Sequence, residues 1–343
     1  MPSSKKPTSK STDVKPRFKV LFSCIGRRVE LLRSFRHAGK KLGLEIELHG
    51  ADATKMAPAI HLVDKAHLTP PIASGEYIDS LVRIVRRAKI DLVIPLIDLE
   101  LIALAASADR FRDLGCCPLI SSEQVVRTCR DKLLMFEALR QAGIDTPDTW
   151  AWTEAITRKR HKFPYFLKPR TGSAGMGNHV IQTLDELHTF GLRVHDAIVQ
   201  EFVEGAEHTL DVYTGLDGLP RCVVPRKRLE IRTGEVSKGL VVKDPAIMRV
   251  GERVAEMLGD CRGVITVQCI ATADGRIRVI EVNPRFGGGA PLAIHAGADF
   301  PRWILMQVLG RTPRINPTGF RDDIAMLRFD DSVFVPGASK MMK

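Results

Sequence analysis

The stretch GVITVQCIATADGRIRVIEVNPRFGGG, residues 263–289, decides how this chain is read. Two runs of alternating apolar residues flank Asp274-Gly275, and Asp-Gly between such runs is the strongest short-range signal of a β-hairpin. With those two residues as the whole turn, Ala273 pairs with Arg276 and Gln268 falls directly opposite Glu281. Directly opposed side chains share a face, with Cβ atoms roughly 4.5–5.5 Å apart. Asn283, two residues on, points the same way. Pro284 ends the ladder and Arg285 follows at its mouth. Three oxygen-bearing side chains and a guanidinium are thus aimed at one place, a set that suits Mg²⁺ carrying nucleotide phosphates. The solvated side of a sheet is the competing reading. Ile270, Ile277 and Val279, which this register puts on the same face, argue for a covered one.

Upstream, FPYFLKP (163–169) is a strand carrying Lys168, and HVIQT (179–183) is another. Between them lies TGSAGMG (171–177), a glycine loop joining two strands, unlike the strand–loop–helix of a Walker site. Gly172, Gly175 and Gly177 free the backbone N–H groups around Ser173 to approach phosphates, with Lys168 as a point charge. Next, AIVQEFVEGAEHTLDVY (197–213) runs as a strand into Gln200, Glu201, Phe202 and Val203, turns at Glu204-Gly205, and reopens at Glu207. Free backbone groups there can read an adenine edge, and a carboxylate a few residues later can hold ribose hydroxyls. Each segment alone also reads as an ordinary hairpin.

The first 120 residues alternate strands and helices: strands at 18–25, near 45–51, at 91–97 and near 117–120, and helices after Gly26, near 76–88 and near 99–112. That order predicts a parallel, doubly wound sheet. Its first turn holds only Gly26, with no GxGxxG, so dinucleotide binding is not expected. Arg28 follows Gly26-Arg27 at a helix N-terminus and is a candidate carboxylate ligand. Asp98 and Glu100 follow a strand's carboxyl end and are candidates to hold an ammonium group. Ser122 and Asp131 are expected to cap two short helices. From about 145 the chain is α+β, and IAMLRF (324–329) is a candidate last strand.

Composition sets the outer limits. At 343 residues, with 44% apolar and 27% charged residues, the chain can hold two or three domains with real cores. No apolar run approaches the roughly 18 residues of a spanning helix. Residues 1–17 have no apolar stretch of a secretory signal and are expected to be a disordered basic tail. The net charge is +11, of which five Lys/Arg less one Asp in that tail contribute +4. With 6% aromatic residues, a base-stacking surface is not expected. Seven cysteines without CxxC or metal spacing fit buried thiols in a reducing cytoplasm.

In order, Lys132 on a helix, Lys168 with its glycine loop, QEFVEGAE and Q…EVNPR together resemble the ATP-grasp superfamily, most closely its carbamoyl-phosphate-synthase-like branch. The resemblance covers about residues 18–310. It implies a Rossmann-like pre-ATP-grasp domain (18–120), an ATP-grasp domain of two α+β subdomains with ATP between them (121–315, flap subdomain about 145–205), and a C-terminal extension (316–343). It implies ATP and Mg²⁺, or Mn²⁺ in its place, as cofactors. Lys132 and Lys168 would contact phosphates and Gly172 to Gly177, including Ser173, would form the flap. Gln200, Glu201, Phe202 and Val203 would form the adenine hinge, with Glu207 the ribose acid. Gln268, Glu281 and Asn283 would be the metal ligands. Gln268 stands where many relatives have an acid, as in the carbamoyl-phosphate-synthase pattern. Arg285 would steady the transferred phosphoryl group.

Such enzymes usually activate a carboxylate as an acyl phosphate, which a nucleophile then attacks. The implied activity is a stand-alone, ADP-forming carboxylate–amine ligase acting on amino acids or small metabolites, a thiol acceptor being a variant. The alternatives are a carbamoyl- or carboxy-phosphate-forming enzyme and a non-catalytic ATP-binding regulator. Gly287, Gly288 and Gly289 can donate N–H groups to an oxyanion. In RKRLEIRTGEVSKG (226–239), with a turn at Thr233-Gly234, Arg226, Arg228 and Lys238 are expected to select the substrate, Arg228 by gripping a carboxylate. No nucleic-acid or membrane partner is expected; a homodimer is, by likeness to relatives.

Overall fold

The computed structural model describes residues 16–172, 175–232 and 234–340, so Ser173, Thr233 and most of the expected basic tail lie outside the described residues. The chain begins with β1 (Arg17–Ser23), α1 (Val29–Lys41), β2 (Glu45–Asp52), β3 (Lys65–Leu68), α2 (Tyr77–Ala88), β4 (Leu92–Pro95), α3 (Asp98–Ala106), α4 (Ala108–Arg112) and β5 (Cys117–Pro118). Their sheet is parallel throughout, in the order β3-β2-β1-β4-β5. Successive strand residues face opposite sides, so in β1 Val20 and Phe22 join one core and Leu21 the other. Two details differ from expectation. The helix near 99–112 breaks at Ser107 into α3 and α4. And β3, whose KAHL shows no apolar alternation, is a short edge strand.

Two capped helices follow: α5 (Glu123–Arg130), where Ser122 accepts from Val125 N–H, and α6 (Lys132–Gln141), where Asp131 accepts from Leu133 and Leu134 N–H. A four-stranded antiparallel sheet, β6-β9-β7-β8, is then built from β6 (Thr149–Ala151), α7 (Trp152–Ala155), β7 (Tyr165–Pro169), β8 (His179–Ile181), α8 (Leu184–Arg193) and β9 (Ala197–Glu201). It has its own small core around Tyr165, Leu167, Ile181, Leu187 and Val199.

The remainder comprises β10 (Ala206–Thr214), β11 (Pro220–Arg232), β12 (Glu235–Val241), α9 (Pro245–Leu258), β13 (Gly263–Ala271), β14 (Ile277–Asn283), α10 (Ala290–Ala296), α11 (Phe300–Val308) and β15 (Ala325–Leu327). Its six-stranded sheet runs β14-β13-β10-β11-β12-β15. Phe22 and Phe35 of the first domain share one core with Phe286, Phe300 and Leu305, the Phe35 and Phe286 rings packing edge to face at 6.2 Å. The first domain is thus joined to the large sheet by apolar packing.

The β13–β14 hairpin corrects the two-residue turn. Thr272 N–H donates to Arg276 C=O, so the loop is Ala273-Asp274-Gly275, with Gly275 at φ +84°. Three-residue loops ending in a left-handed glycine are the next commonest hairpin connection. From that loop Ala271 pairs with Ile277 and Cys269 with Val279, and then Ile280 bulges out. Beyond the bulge Gln268 still meets Glu281 and Thr266 meets Asn283. Ile277 and Val279 therefore pack with the core, contrary to the simple register, and Ile280 takes their place beside Glu281.

Candidate active site

A cavity of about 660 Å³ lies between the four-stranded and six-stranded sheets, closed on one side by the first domain. On β13 and β14, Thr266, Gln268, Glu281 and Asn283 line it, followed by Arg285. The donor set is one carboxylate and two amides, all oxygen. Among the described residues no group of three or more His, Cys, Asp or Glu could hold a metal alone. An all-oxygen set with a single carboxylate fits Mg²⁺, which binds through one or two carboxylates and takes the rest of its ligands from water and phosphate.

Lys132 and Lys168 face this strand pair. Lys132 opens α6, and its Nζ donates to Gly172 C=O at 3.1 Å. Lys168 is 6% exposed and donates to Gln200 Oε1 at 3.0 Å, while Gln200 Nε2 donates to Thr149. Burial brings the Lys168 pKa down to about 8, opposed by Glu281 and reinforced by Lys132. Burial also lowers Lys132. A buried ammonium in want of an anion suits phosphate. Gly172 and Gly175 line the cavity, whereas Gly177 does not.

Glu201 ends β9, Phe202 and Val203 follow it as the chain leaves the four-stranded sheet, and all three line the cavity. Among the described residues, neither Phe202 nor Val203 donates its N–H to another backbone group, which leaves an edge free to read a base. Behind this hinge sits Arg278, 6% exposed. It donates to Glu201 Oε2 at 2.8 Å, Asp145 Oδ1 at 3.3 Å and Thr146 C=O at 3.3 Å.

The residues expected to select substrate divide. Arg28, Asp98, Arg226, Arg228, Gly287 and Gly288 reach the cavity; Glu100 and Lys238 do not. Glu100 is fully buried, accepting from Tyr77 Oη at 2.6 Å and from the N–H groups of Leu96 and Ile97, and so it fixes the start of α3. Burial raises its carboxyl pKa. Lys238 points away and pairs with Glu230 at 2.7 Å, because it alternates off the inner face of β12. Asp98 pairs with Arg285 at 2.6 Å, a contact between the first domain and the large sheet. Arg226 is buried on β11, with Nε and Nη2 on Asp211 at 2.6 and 3.1 Å. Arg228 does not stand open for a carboxylate: it spans Glu207 at 2.5 Å and Gln268 Oε1 at 3.3 Å.

Three further residues shape the site. Thr266 Oγ1 donates to Arg285 C=O at 2.9 Å; it lies two residues before Gln268, and the period of two would have found it. Glu235 accepts from Arg28 at 3.0 Å and Arg328 at 3.2 Å, and Arg328 also donates to Gly288 C=O. Nothing local in the sequence joins Arg28, Glu235 and Arg328, which come from three distant segments.

Comparison with known proteins agrees with this architecture. Residues 20–120 match the family described as PylC-like, N-terminal domain, and residues 129–289 match the ATP-grasp domain. The chain is 29% identical over 182 residues to 3-methyl-D-ornithine–L-lysine ligase of Methanosarcina acetivorans, covering 52% of this chain and 46% of that protein. It spans about half the length of the curated relatives it matches. In fold it resembles the biotin carboxylase domain of Hydrogenobacter thermophilus 2-oxoglutarate carboxylase, solved with MgADP and bicarbonate (TM-score 0.70, 18% identity, 90% of this chain and 73% of that one). It also resembles an L-amino acid ligase from Bacillus licheniformis (TM-score 0.66, 18% identity, 86% and 75%). No helix among the described residues is long and apolar enough to cross a membrane. The chain carries an ATP-grasp domain, with a PylC-like N-terminal domain ahead of it.

Proposed function

We propose that the chain is an ATP-dependent ligase that activates a small carboxylate as an acyl phosphate and joins it to an amine, releasing ADP and phosphate. One observation carries this reading: Lys132, Lys168 and Arg285 converge on the cavity wall that holds Gln268, Glu281 and Asn283. Three cations and an oxygen-ligand set around one point supply the positioning and charge neutralisation on which phosphoryl transfer depends. The relative from Methanosarcina is named for joining two amino acids, and the fold neighbour from Bacillus licheniformis for ligating L-amino acids.

In this reading Glu201, Phe202 and Val203 hold the adenine, and the glycine hairpin at 171–177 closes on the phosphates. Lys132 and Lys168 neutralise those phosphates, and Glu207 faces the ribose with the oxygen that Arg228 leaves it. Gln268, Glu281 and Asn283 hold Mg²⁺, which when bound supplies charge neutralisation to the phosphates. Arg285, oriented by Asp98 and by Thr266 through its carbonyl, presents its guanidinium to the phosphoryl group as it moves to the carboxylate oxygen. The amine nitrogen then attacks the acyl carbon, and the bond to the phosphate oxygen breaks. The N–H groups of Gly287 and Gly288 face the oxygen that gains charge. Arg228 acts here as a positioning residue between Glu207 and Gln268.

We further place the protein in the cytoplasm, where its seven free cysteines stay reduced, and as a homodimer, the state in which the biotin carboxylase neighbour was solved. The ligase reading is tested by ADP release over a matrix of amino acids, other small carboxylates, bicarbonate and amines, with Glu281→Gln as the inactive control. ADP formed only when a carboxylate and an amine are both present supports it. ADP with bicarbonate alone points to a carboxy-phosphate product, and tight MgATP binding with no ADP from any pair refutes it.

A further inference from the structure

Around the loop Gly287–Gly289, five guanidinium groups share three carboxylates among the described residues. Two of the pairs are closed: Arg226 with Asp211 at 2.6 Å, both buried, and Arg285 with Asp98 at 2.6 Å. The other three arginines converge on one acid. Arg28 Nη1 lies 3.0 Å from Glu235, Arg328 Nη1 3.2 Å and Arg27 Nη2 3.8 Å. Arg27 and Arg28 follow β1, Arg328 follows β15, and Glu235 opens β12. Three cations on one carboxylate leave two positive charges uncompensated beside the cavity.

Burial lowers the Arg28 pKa, and the neighbouring charges of Arg285 and Arg328 add to that effect against the pull of Glu235. Like charges held this close repel one another, and an arriving anion relieves the repulsion. The cluster is also reachable: the Arg27 side chain is 70% exposed and that of Arg328 34%. The backbone is cut back to receive it. A Cβ on Gly288 would stand 2.5 Å from Arg28 Nη1 and 3.1 Å from the Glu235 carboxyl. Of the three arginines Arg28 lines the cavity, while Arg27 and Arg328 stand beside it around Glu235; Arg328 lies beyond residue 289, where the match to the ATP-grasp domain ends.

We infer that Arg27, Arg28 and Arg328 form a subsite for a second, non-reacting carboxylate on one of the two substrates, with Glu235 as its built-in counter-ion. The inference rests on the ligase reading for the word substrate, but its chemistry is that of guanidinium forks meeting a carboxylate. The second carboxylate belongs either to the acid or to the amine, and the two sources are separable.

The test is calorimetry on the full chain at saturating MgADP, with glutarate against butyrate as probes of the acid and glycine against glycinamide as probes of the amine. We expect one pair to show the additional carboxylate binding about tenfold tighter or more. Arg28→Met and Arg328→Met should each remove most of that preference. Glu235→Gln should strengthen it, because the arginines lose their internal competitor; a Glu235 that only knitted the segments together would weaken it. Thermal unfolding verifies that each variant is folded. Absence of preference in both pairs, preference unaffected by either arginine variant, or weakening by Glu235→Gln would overturn the subsite. These arms read binding, so a chain that discriminates the probes yet never forms ADP would refute the ligase reading and leave the subsite standing.

Discussion

Gln268 and Glu281 stand directly across from one another on β13 and β14, and they do so because two irregularities cancel. The hairpin loop is one residue longer than Asp-Gly alone, and Ile280 bulges to restore the pairing. The bulge also puts Ile280 and Glu281 on the same cavity wall, a known way of re-aiming a side chain beside a site. Glu281 is the only carboxylate of the donor set. Glu281→Gln should leave the fold intact and lower ADP formation by about 10²–10³, measured with a coupled assay beside a thermal melt. Gln268→Glu, by adding a second carboxylate, should tighten Mn²⁺ binding measured by electron paramagnetic resonance in the presence of ADP.

Lys168 gives the site a pH dependence. Its pKa of about 8 belongs to the free protein and is low because the ammonium is buried. Phosphate oxygens favour the charged form, so the pKa rises when a nucleotide binds. MgATP affinity should therefore be flat below pH 8 and fall as pH rises through it, with a proton taken up on binding near pH 8. Calorimetry in two buffers of different ionisation enthalpy measures that proton. Lys168→Arg keeps its charge throughout and should abolish both effects.

Arg278 lies outside the cavity yet joins the Glu201 hinge to β14, the strand of Glu281 and Asn283. Its bond to Glu201 is the main cause of that carboxyl's lowered pKa. Arg278→Met should raise the KM for MgATP about tenfold with a smaller change in kcat, since it misplaces the base and spares the reacting end. Glu201→Gln keeps an acceptor for Arg278 and should lose less. Initial-rate kinetics at saturating co-substrates separates the two constants.

Asp211 and Arg226 are 0% and 1% exposed. Removing one charge strands the other, so Asp211→Asn should destabilise by about 3–5 kcal/mol. The double variant Asp211→Leu with Arg226→Met should recover much of that loss, as urea unfolding would show. Arg226 Nη1 packs where a Gly289 Cβ would stand, 2.2 Å away, so the double variant should still turn over more slowly than the parent.

Much of this was legible in the sequence because it rests on local periodicity. The apolar run FKVLFSCI and the caps Ser122 and Asp131 follow from spacing within one element, whereas the expected opposition of Gln268 and Glu281 holds because the longer loop and the bulge at Ile280 offset one another. What escaped came from long range or from register. Glu100 and Asp98 share a helix start, and only the fold shows that one is buried under Tyr77 and the other turned to Arg285. Lys238 and Glu235 sit on one short strand, and a single alternation decides which faces the cavity. Arg328 reaches Gly288 from 40 residues away, and no pattern along the chain encodes that contact.

Isotope transfer is the sharpest test of whether a carboxylate passes through an acyl phosphate. The acid partner found in the ADP-release matrix is labelled with ¹⁸O in its carboxylate, and the phosphate released with the amide is analysed by mass spectrometry. Passage through an acyl phosphate yields phosphate carrying one ¹⁸O per amide formed, with ADP in equal amount. Unlabelled phosphate, or AMP with pyrophosphate, would contradict it.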